Sequence, residues 1–175
     1  MQGSTSRDEI FSRVFRHVYP IIFRVTLRIT GREDLAEEVC QEALIRYFQR
    51  IERFPDDDQA KYWLIRVSKN LALNVAKRSG REIQAYERVG RESEHESESG
   101  EQALLRKETA EEVQAALEKL PDRMKSVLVL KEYGQLNYKE IGSVLGITEG
   151  NVKVRVHRAR ERLLKLLEED ANGKT

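Results

Sequence analysis

The chain has 175 residues, 39% hydrophobic and 35% charged, which is room for one domain or two small ones and suits helices with large wet surfaces. A lone cysteine, Cys40, excludes an internal disulfide and fits a reducing cytosol; no uncharged apolar run approaches the ~18 residues of a membrane span, and the start MQGSTSRDEIF holds no signal-peptide core. With 31 basic against 30 acidic residues the net charge is only +1, so charge-driven partners must be read from where the charges sit.

In chain order, Ile10, Phe11, Val14, Phe15 and Val18 recur at helical spacing. Pro20 predicts a kink or an end to that helix, with residues 21–29 continuing apolar. Thr30 and Gly31 read as a turn. From about Asp34 to Arg50 the pattern is helical again, with Leu35, Val39, Ala43, Tyr47 and Ile51 on one buried side. The first half of that helix is acidic: Glu33, Asp34, Glu37, Glu38 and Glu42. Residues 54–58, FPDDD, read as a loop, since Pro and Asp favour turns. Residues 59–81, QAKYWLIRVSKNLALNVAKRSGR, form the next helix, with Leu64, Val67, Leu71 and Val75 as its apolar stripe. This window holds six Lys and Arg and no Asp or Glu.

Residues 90–102, GRESEHESESGEQ, contain no hydrophobic residue and bury too little to offset their ordering entropy. They read as a flexible acidic linker, bounded at 83–103, between a domain over 8–82 and a second over 104–170. Helical patterning resumes near Ala103, where Ala110, Val113, Leu117 and Leu120 line up. Pro121 opens a helix with Val127, Leu128 and Leu130 as core. Asn137 with Glu140 three residues on has the form of a capping box. Ile141, Val144 and Leu145 make a short helix, Gly146 and Ile147 a tight turn, and Thr148 caps the next helix. Val152, Val156, Ala159, Leu163 and Leu166 form the buried stripe of that last helix. The fold class is therefore all-α: two small helical domains joined by a flexible acidic linker, the second a helix-turn-helix.

Two short helices joined by a glycine turn, the second rich in cations, describe a DNA-reading motif. At ~100° per residue from Val152, Val154 lies near ~200°, His157 near ~140° and Arg158 near ~240°. The outward face thus offers Lys153, Val154, His157 and Arg158, with Arg155, Arg160 and Arg162 on the flanks. Thr148, Glu149, Gly150 and Asn151 complete the candidate duplex-reading set at the helix start. Cations serve phosphates, Arg reads guanine bidentately, and an outward Val suits a thymine methyl. The alternative is a solvated basic helix closing a bundle. The glycine turn, the two caps and the preceding short helix favour DNA.

In the basic window, Lys61, Tyr62, Arg66, Lys69, Asn70, Asn74, Lys77 and Arg78 lie mostly off the apolar stripe. They form a candidate second nucleic-acid surface, with Tyr62 placed to stack on an unpaired base and Trp63 expected in the core. The alternative is a helix whose wet side is basic by chance. Two such surfaces on separate domains point to one long nucleic acid touched at two places. A stand-alone helix-turn-helix regulator binding duplex DNA as a dimer explains residues 137–165 and leaves the basic window and acidic helix unexplained. An enzyme is not expected. Asp34, Glu37, Glu38 and Glu42 lack a Glu-x-x-His partner for a metal, and His17, His95 and His157 are scattered. Cys40 reads as core, and no phosphate-binding glycine loop occurs, so neither metal nor cofactor is expected.

Three stretches, TGREDLAEEVCQEALIRYFQRIERF, YWLIRVSKNLALNVAKR and LPDRMKSVLVLKEYGQLNYKEIGSVLGITEGNVKVRVHRARERL, together resemble the bacterial sigma factors of the extracytoplasmic-function (ECF) type. The resemblance covers roughly residues 10–80 and 104–168 and keeps the family's order and spacing. It implies that the acidic helix, with Asp34, Glu37, Glu38, Gln41 and Glu42, docks on the β′ clamp helices of core RNA polymerase, with a further contact to the β flap. It implies that the basic window holds the melted −10 strand of promoter DNA, that residues 54–61 take a flipped base, and that the helix from Thr148 enters the −35 major groove. An anti-sigma factor is implied as a further partner, and the cytoplasm as the place of action. The loop PDDDQAKY departs from the family in its acidity. Asp56, Asp57 and Asp58 are expected to point away from phosphate or to exclude wrong sequences. The longer aromatic set of promoter-melting primary sigma factors is also missing.

Overall fold

The computed structural model describes residues 6–87 and 101–173. Among these the chain forms α1 (Arg7–Thr30), α2 (Glu33–Phe48), a 3₁₀ turn (Ile51–Arg53), α3 (Asp57–Glu87), α4 (Glu101–Lys119), α5 (Asp122–Glu132), α6 (Tyr138–Leu145) and α7 (Glu149–Gly173), with no strand. The all-α expectation holds.

α1 starts on a capping box. The Ser6 hydroxyl accepts from the Glu9 N–H at 3.2 Å, and the Glu9 carboxylate accepts from the Ser6 N–H at 3.0 Å. It ends at Gly31, whose φ of 69° lets its N–H reach the Leu27 carbonyl. Pro20 neither ends the helix nor starts a new one; α1 runs through it. An interior proline costs ~3 kcal/mol. Val18, Ile22, Val25 and Ile29 on the same helix are all buried, and each such burial returns ~1.5–3 kcal/mol. Packing wins over the local penalty.

α1, α2 and α3 pack against one another as one bundle, and α7 collects α4, α5 and α6 into a second. In the first, Phe54 joins Tyr47 and Trp63 at ring-centroid distances of 5.4 and 5.3 Å. Trp63 is half-buried in this cluster. Cys40 is buried, with its sulfur 3.4 Å from the Thr26 hydroxyl. The buried residues of α3 are Ala60, Leu64, Ile65, Ser68, Ala72 and Leu73, whereas Val67, Leu71 and Val75 are only half-buried. The expected stripe is therefore rotated. α1 and α2 cover the first set, and Leu71 and Val75 look into a groove beside α2.

Helix extends into both ends of the stretch expected as a linker, 83–103. Residues 83–87 continue α3 and residues 101–103 begin α4; the side chains REIQAYE are mostly good helix formers, so the helix propagates past the core that started it. The rest of the expected linker, residues 88–100, lies outside the described residues. Ala110, aligned with Val113 and Leu117 in sequence, is exposed.

The two bundles lie side by side, with α3 against α6 and α1 against α5 and α4. Arg24 donates to the Tyr133 carbonyl at 3.0 Å, the Arg28 guanidinium sits 4.5 Å from the Tyr133 ring centroid, and the Gln114 amide donates to the Arg28 carbonyl at 3.2 Å.

Candidate nucleic-acid and polymerase surfaces

The helix-turn-helix is built as its residues dictate. The Asn137 side chain accepts from the Glu140 N–H at 2.9 Å and the Glu140 carboxylate accepts from the Asn137 N–H at 2.9 Å. Gly146, at φ 66°, turns the chain, and the Ile147 N–H donates back to the Gly142 carbonyl at 3.1 Å. The Thr148 hydroxyl then accepts from the Asn151 N–H at 3.3 Å. Val152, Val156, Ala159 and Leu166 seat α7 in the core. Lys153, Val154, His157 and Arg158 are exposed together, with Val154 at 48%, and Arg155 lies half-buried on the flank. Thr148, Glu149, Gly150 and Asn151 are exposed at the helix start. Lys153 pairs with Glu149 at 3.2 Å and His157 with Glu161 at 3.5 Å. Arg160 is engaged otherwise: its Nε donates to Glu132 of α5 at 3.1 Å, which ties α7 to its own bundle.

The basic helix divides into two faces. Lys61, Arg66, Lys69 and Lys77 turn toward the second bundle. Lys61 Nζ stands 2.9 Å from Glu140 Oε1, and Arg66 donates to the carbonyls of Val144 at 2.7 Å and Ser143 at 2.8 Å. Lys77 pairs with Asp122 at 2.6 Å. Lys69 is half-buried beside them, and burial, followed by the neighbouring Arg66 charge, pushes its amine pKa down. Tyr62 lies at the edge of this face, with Lys61 Nζ 5.5 Å from its ring centroid; burial and then the Glu140 charge push its phenol up. Asn70 is exposed. Asn74 and Arg78 point elsewhere. They line a groove of about 390 Å3 with Glu38, Gln41, Glu42, Ile45 and Arg46 of α2.

The acidic helix exposes Asp34, Glu37, Glu38, Gln41 and Glu42. Asp34 is held by Arg32 at 2.5 Å, whose hydrogen bond keeps its carboxyl below the ordinary value, and Glu42 pairs with Arg46 at 2.7 Å. Ile45 at 54% exposure and Phe48 at 39% continue the same side. The sequence reading missed both, although Glu38, Gln41, Glu42 and Ile45 follow an i, i+3, i+4, i+7 series that was there to be read.

The acidic stretch at the start of α3 is helical from Asp57 on, and Asp56 and Asp57 have structural jobs. Asp56 caps α3, accepting from the Gln59 N–H at 2.7 Å. Asp57 and Asp58 fall in the first helical turn, and Asp57 accepts two hydrogen bonds from Arg13 of α1 at 2.6 and 2.9 Å. Among the described residues, no group of His, Cys, Asp and Glu is placed to hold a metal ion, and no helix is long and apolar enough to cross a membrane.

Residues 14–82 match the family described as Sigma-70 region 2, and residues 110–163 match Sigma-70, region 4. The chain is 32% identical over 145 residues to the ECF RNA polymerase sigma factor SigW of Bacillus subtilis, covering 78% of each. The chain belongs to the ECF sigma factors. It is also 32% identical over 156 residues to the ECF sigma factor SigE of Mycolicibacterium smegmatis, where the match takes in 86% of this chain and 56% of that one. Among solved structures it resembles the sigma factor RpoE in complex with the anti-sigma factor NepR from Bartonella quintana, at 25% identity and a TM-score of 0.64, over 90% of this chain and 96% of that one. The region 2 match spans the acidic helix and the basic window, the two features that a stand-alone helix-turn-helix regulator leaves unexplained.

Proposed function

We infer that this chain directs core RNA polymerase to a specialised set of promoters. The acidic side of α2, with Asp34, Glu37, Glu38, Gln41 and Glu42, docks on the β′ clamp helices, and Ile45 and Phe48 add apolar contact. Opposite charge steers that encounter and fixes its orientation. Lys61, Tyr62, Arg66, Lys69, Asn70 and Lys77 hold the melted −10 strand, with cations tracking phosphates and Tyr62 stacking on a base. Asn74 and Arg78 serve where the strand surface meets the polymerase surface. The start of α7, Thr148, Glu149, Gly150 and Asn151, with Lys153, Val154, Arg155, His157 and Arg158, reads the −35 duplex. The domain over 104–170 also meets the β flap, and that over 8–82 carries the polymerase and −10 contacts. The chain acts by binding rather than by catalysis, in the cytoplasm where the polymerase works. As the RpoE relative is held by NepR, an anti-sigma factor holds this chain in reserve.

The observation that carries this reading is the pairing of an exposed cationic face on α7 with a separate cationic face on α3, in the chain order of regions 4 and 2. The test is abortive transcription with bacterial core RNA polymerase on a pool of promoter fragments, with and without the protein. Protein-dependent initiation from fragments sharing −35 and −10 motifs is expected. No initiation, with tight duplex binding by the protein alone, overturns the reading in favour of the dimeric regulator.

A further inference from the structure

Three of the four cations assigned above to the −10 strand, Lys61, Arg66 and Lys77, meet acceptors in this conformation. Lys61 and Glu140 meet at 2.9 Å with both side chains only 23% exposed. Arg66 spans two carbonyls at the end of α6, from Ser143 and Val144. The last carbonyls of a helix lack intrahelical partners and carry the negative end of its dipole. To a guanidinium they present two adjacent acceptors, as a phosphate does. Lys77 is held by Asp122 at the start of α5. Three cations of one face thus each meet an acceptor that stands where a strand phosphate would.

The occupant is the first helix of the chain's own helix-turn-helix. Glu140 does two jobs with its two oxygens: Oε2 closes the α6 capping box and Oε1 takes Lys61. The reading face of α7 stays exposed on the same molecule, through Lys153, Val154, His157 and Arg158.

We propose that in the free chain α6 and the start of α5 mask the strand-binding face of α3, with Glu140, the Ser143 and Val144 carbonyls and Asp122 as internal phosphate surrogates. The mask covers one DNA surface and leaves the other open. Any partner that prefers the separated bundles uncovers Lys61, Arg66 and Lys77 together. This rests on the reading of those residues as the strand site.

Glu140→Gln separates masking from folding, because Gln also serves at the third position of a capping box. The full-length chain is measured for binding of a fluorescent single-stranded oligonucleotide and for radius of gyration by small-angle X-ray scattering. Glu140→Gln and Asp122→Asn are each expected to bind the strand about 3–10-fold tighter and to expand. Glu168→Gln removes an exposed charge near the C-terminal end of α7, outside the three pairs named above, and is expected to change neither. The double reversal of Lys61→Glu with Glu140→Lys is expected to restore compactness. Unchanged strand affinity in both test variants overturns the proposal, whether or not they expand, and so does an equal gain in the Glu168→Gln control. Lys61→Gln in polymerase-dependent initiation tells the two failures apart. If initiation is undiminished, the strand-site assignment itself is wrong; if it falls while Glu140→Gln gains nothing, only the mask is wrong.

Discussion

Gly142→Ala puts the geometry of the helix-turn-helix to a quantitative test. Gly142 is buried in α6, and a Cβ there would lie 2.7 Å from the Ile147 carbonyl oxygen, on backbone that cannot swing aside. Gly80 lies inside α3 with nothing within 4 Å of its Cβ position. Replacing an interior helical Gly by Ala gains ~0.8–1 kcal/mol at either site from backbone propensity. Only Gly142 adds overpacking, which costs ~1–3 kcal/mol. The difference between the variants isolates that cost, because the propensity gain cancels. For a chain of this size ~1 kcal/mol moves Tm by ~2–4 °C. Gly80→Ala should raise Tm by that amount, and Gly142→Ala should melt several degrees below Gly80→Ala. The strain falls on the turn that seats α7, so −35-dependent initiation should fall in Gly142→Ala while core-polymerase binding holds. Thermal unfolding by circular dichroism reads the first effect and abortive transcription the second. Equal Tm shifts for the two variants would refute the close approach of α6 to the turn.

Further outcomes follow from the same surfaces. Arg158→Ala removes an exposed cation from the outward face of α7 proposed to read the −35 duplex; promoter-specific initiation should weaken about tenfold, consistent with ~1–3 kcal/mol for a good base contact, with polymerase pull-down unchanged, and equal loss of both contradicts the assignment. Gln41→Ala with Glu42→Ala should weaken capture by core polymerase, and an unchanged pull-down removes α2 as the docking side. The Arg13 hydrogen bonds hold the Asp57 carboxyl below its ordinary 3.8. Its contribution to stability is therefore complete above that value and lost as pH falls through the lower value in the fold. Asp57 should titrate below 3.8 by carbon-detected NMR and return to the ordinary range in Arg13→Ala; an ordinary value in the parent chain breaks the tie between α1 and α3.

Much of the molecule follows from local pattern. The stripe of Val152, Val156 and Ala159 placed Lys153, Val154, His157 and Arg158 outward because a helix has one period, and knowing the buried residues fixes the exposed ones. The caps at Asn137 and Thr148 were legible because a cap bonds within three residues of itself. Pro20 misled for the converse reason: its penalty is local, while the burial that overrides it comes from α2 and α3.

The sequence by itself determined the helices, their caps, the outward face of α7 and the likeness to the ECF sigma factors. It could not assign the three aspartates at the start of α3, because Asp57 is bound by a residue 44 positions away. Nor could it divide the basic window, where Lys61 and Arg66 meet partners 79 and 78 positions along the chain while Arg78 turns to α2. Periodicity says which side of a helix is wet, not which other helix faces it. That choice depends on contacts between distant segments, so only the tertiary structure decided that the cationic face of α3 lies against the chain's own helix-turn-helix.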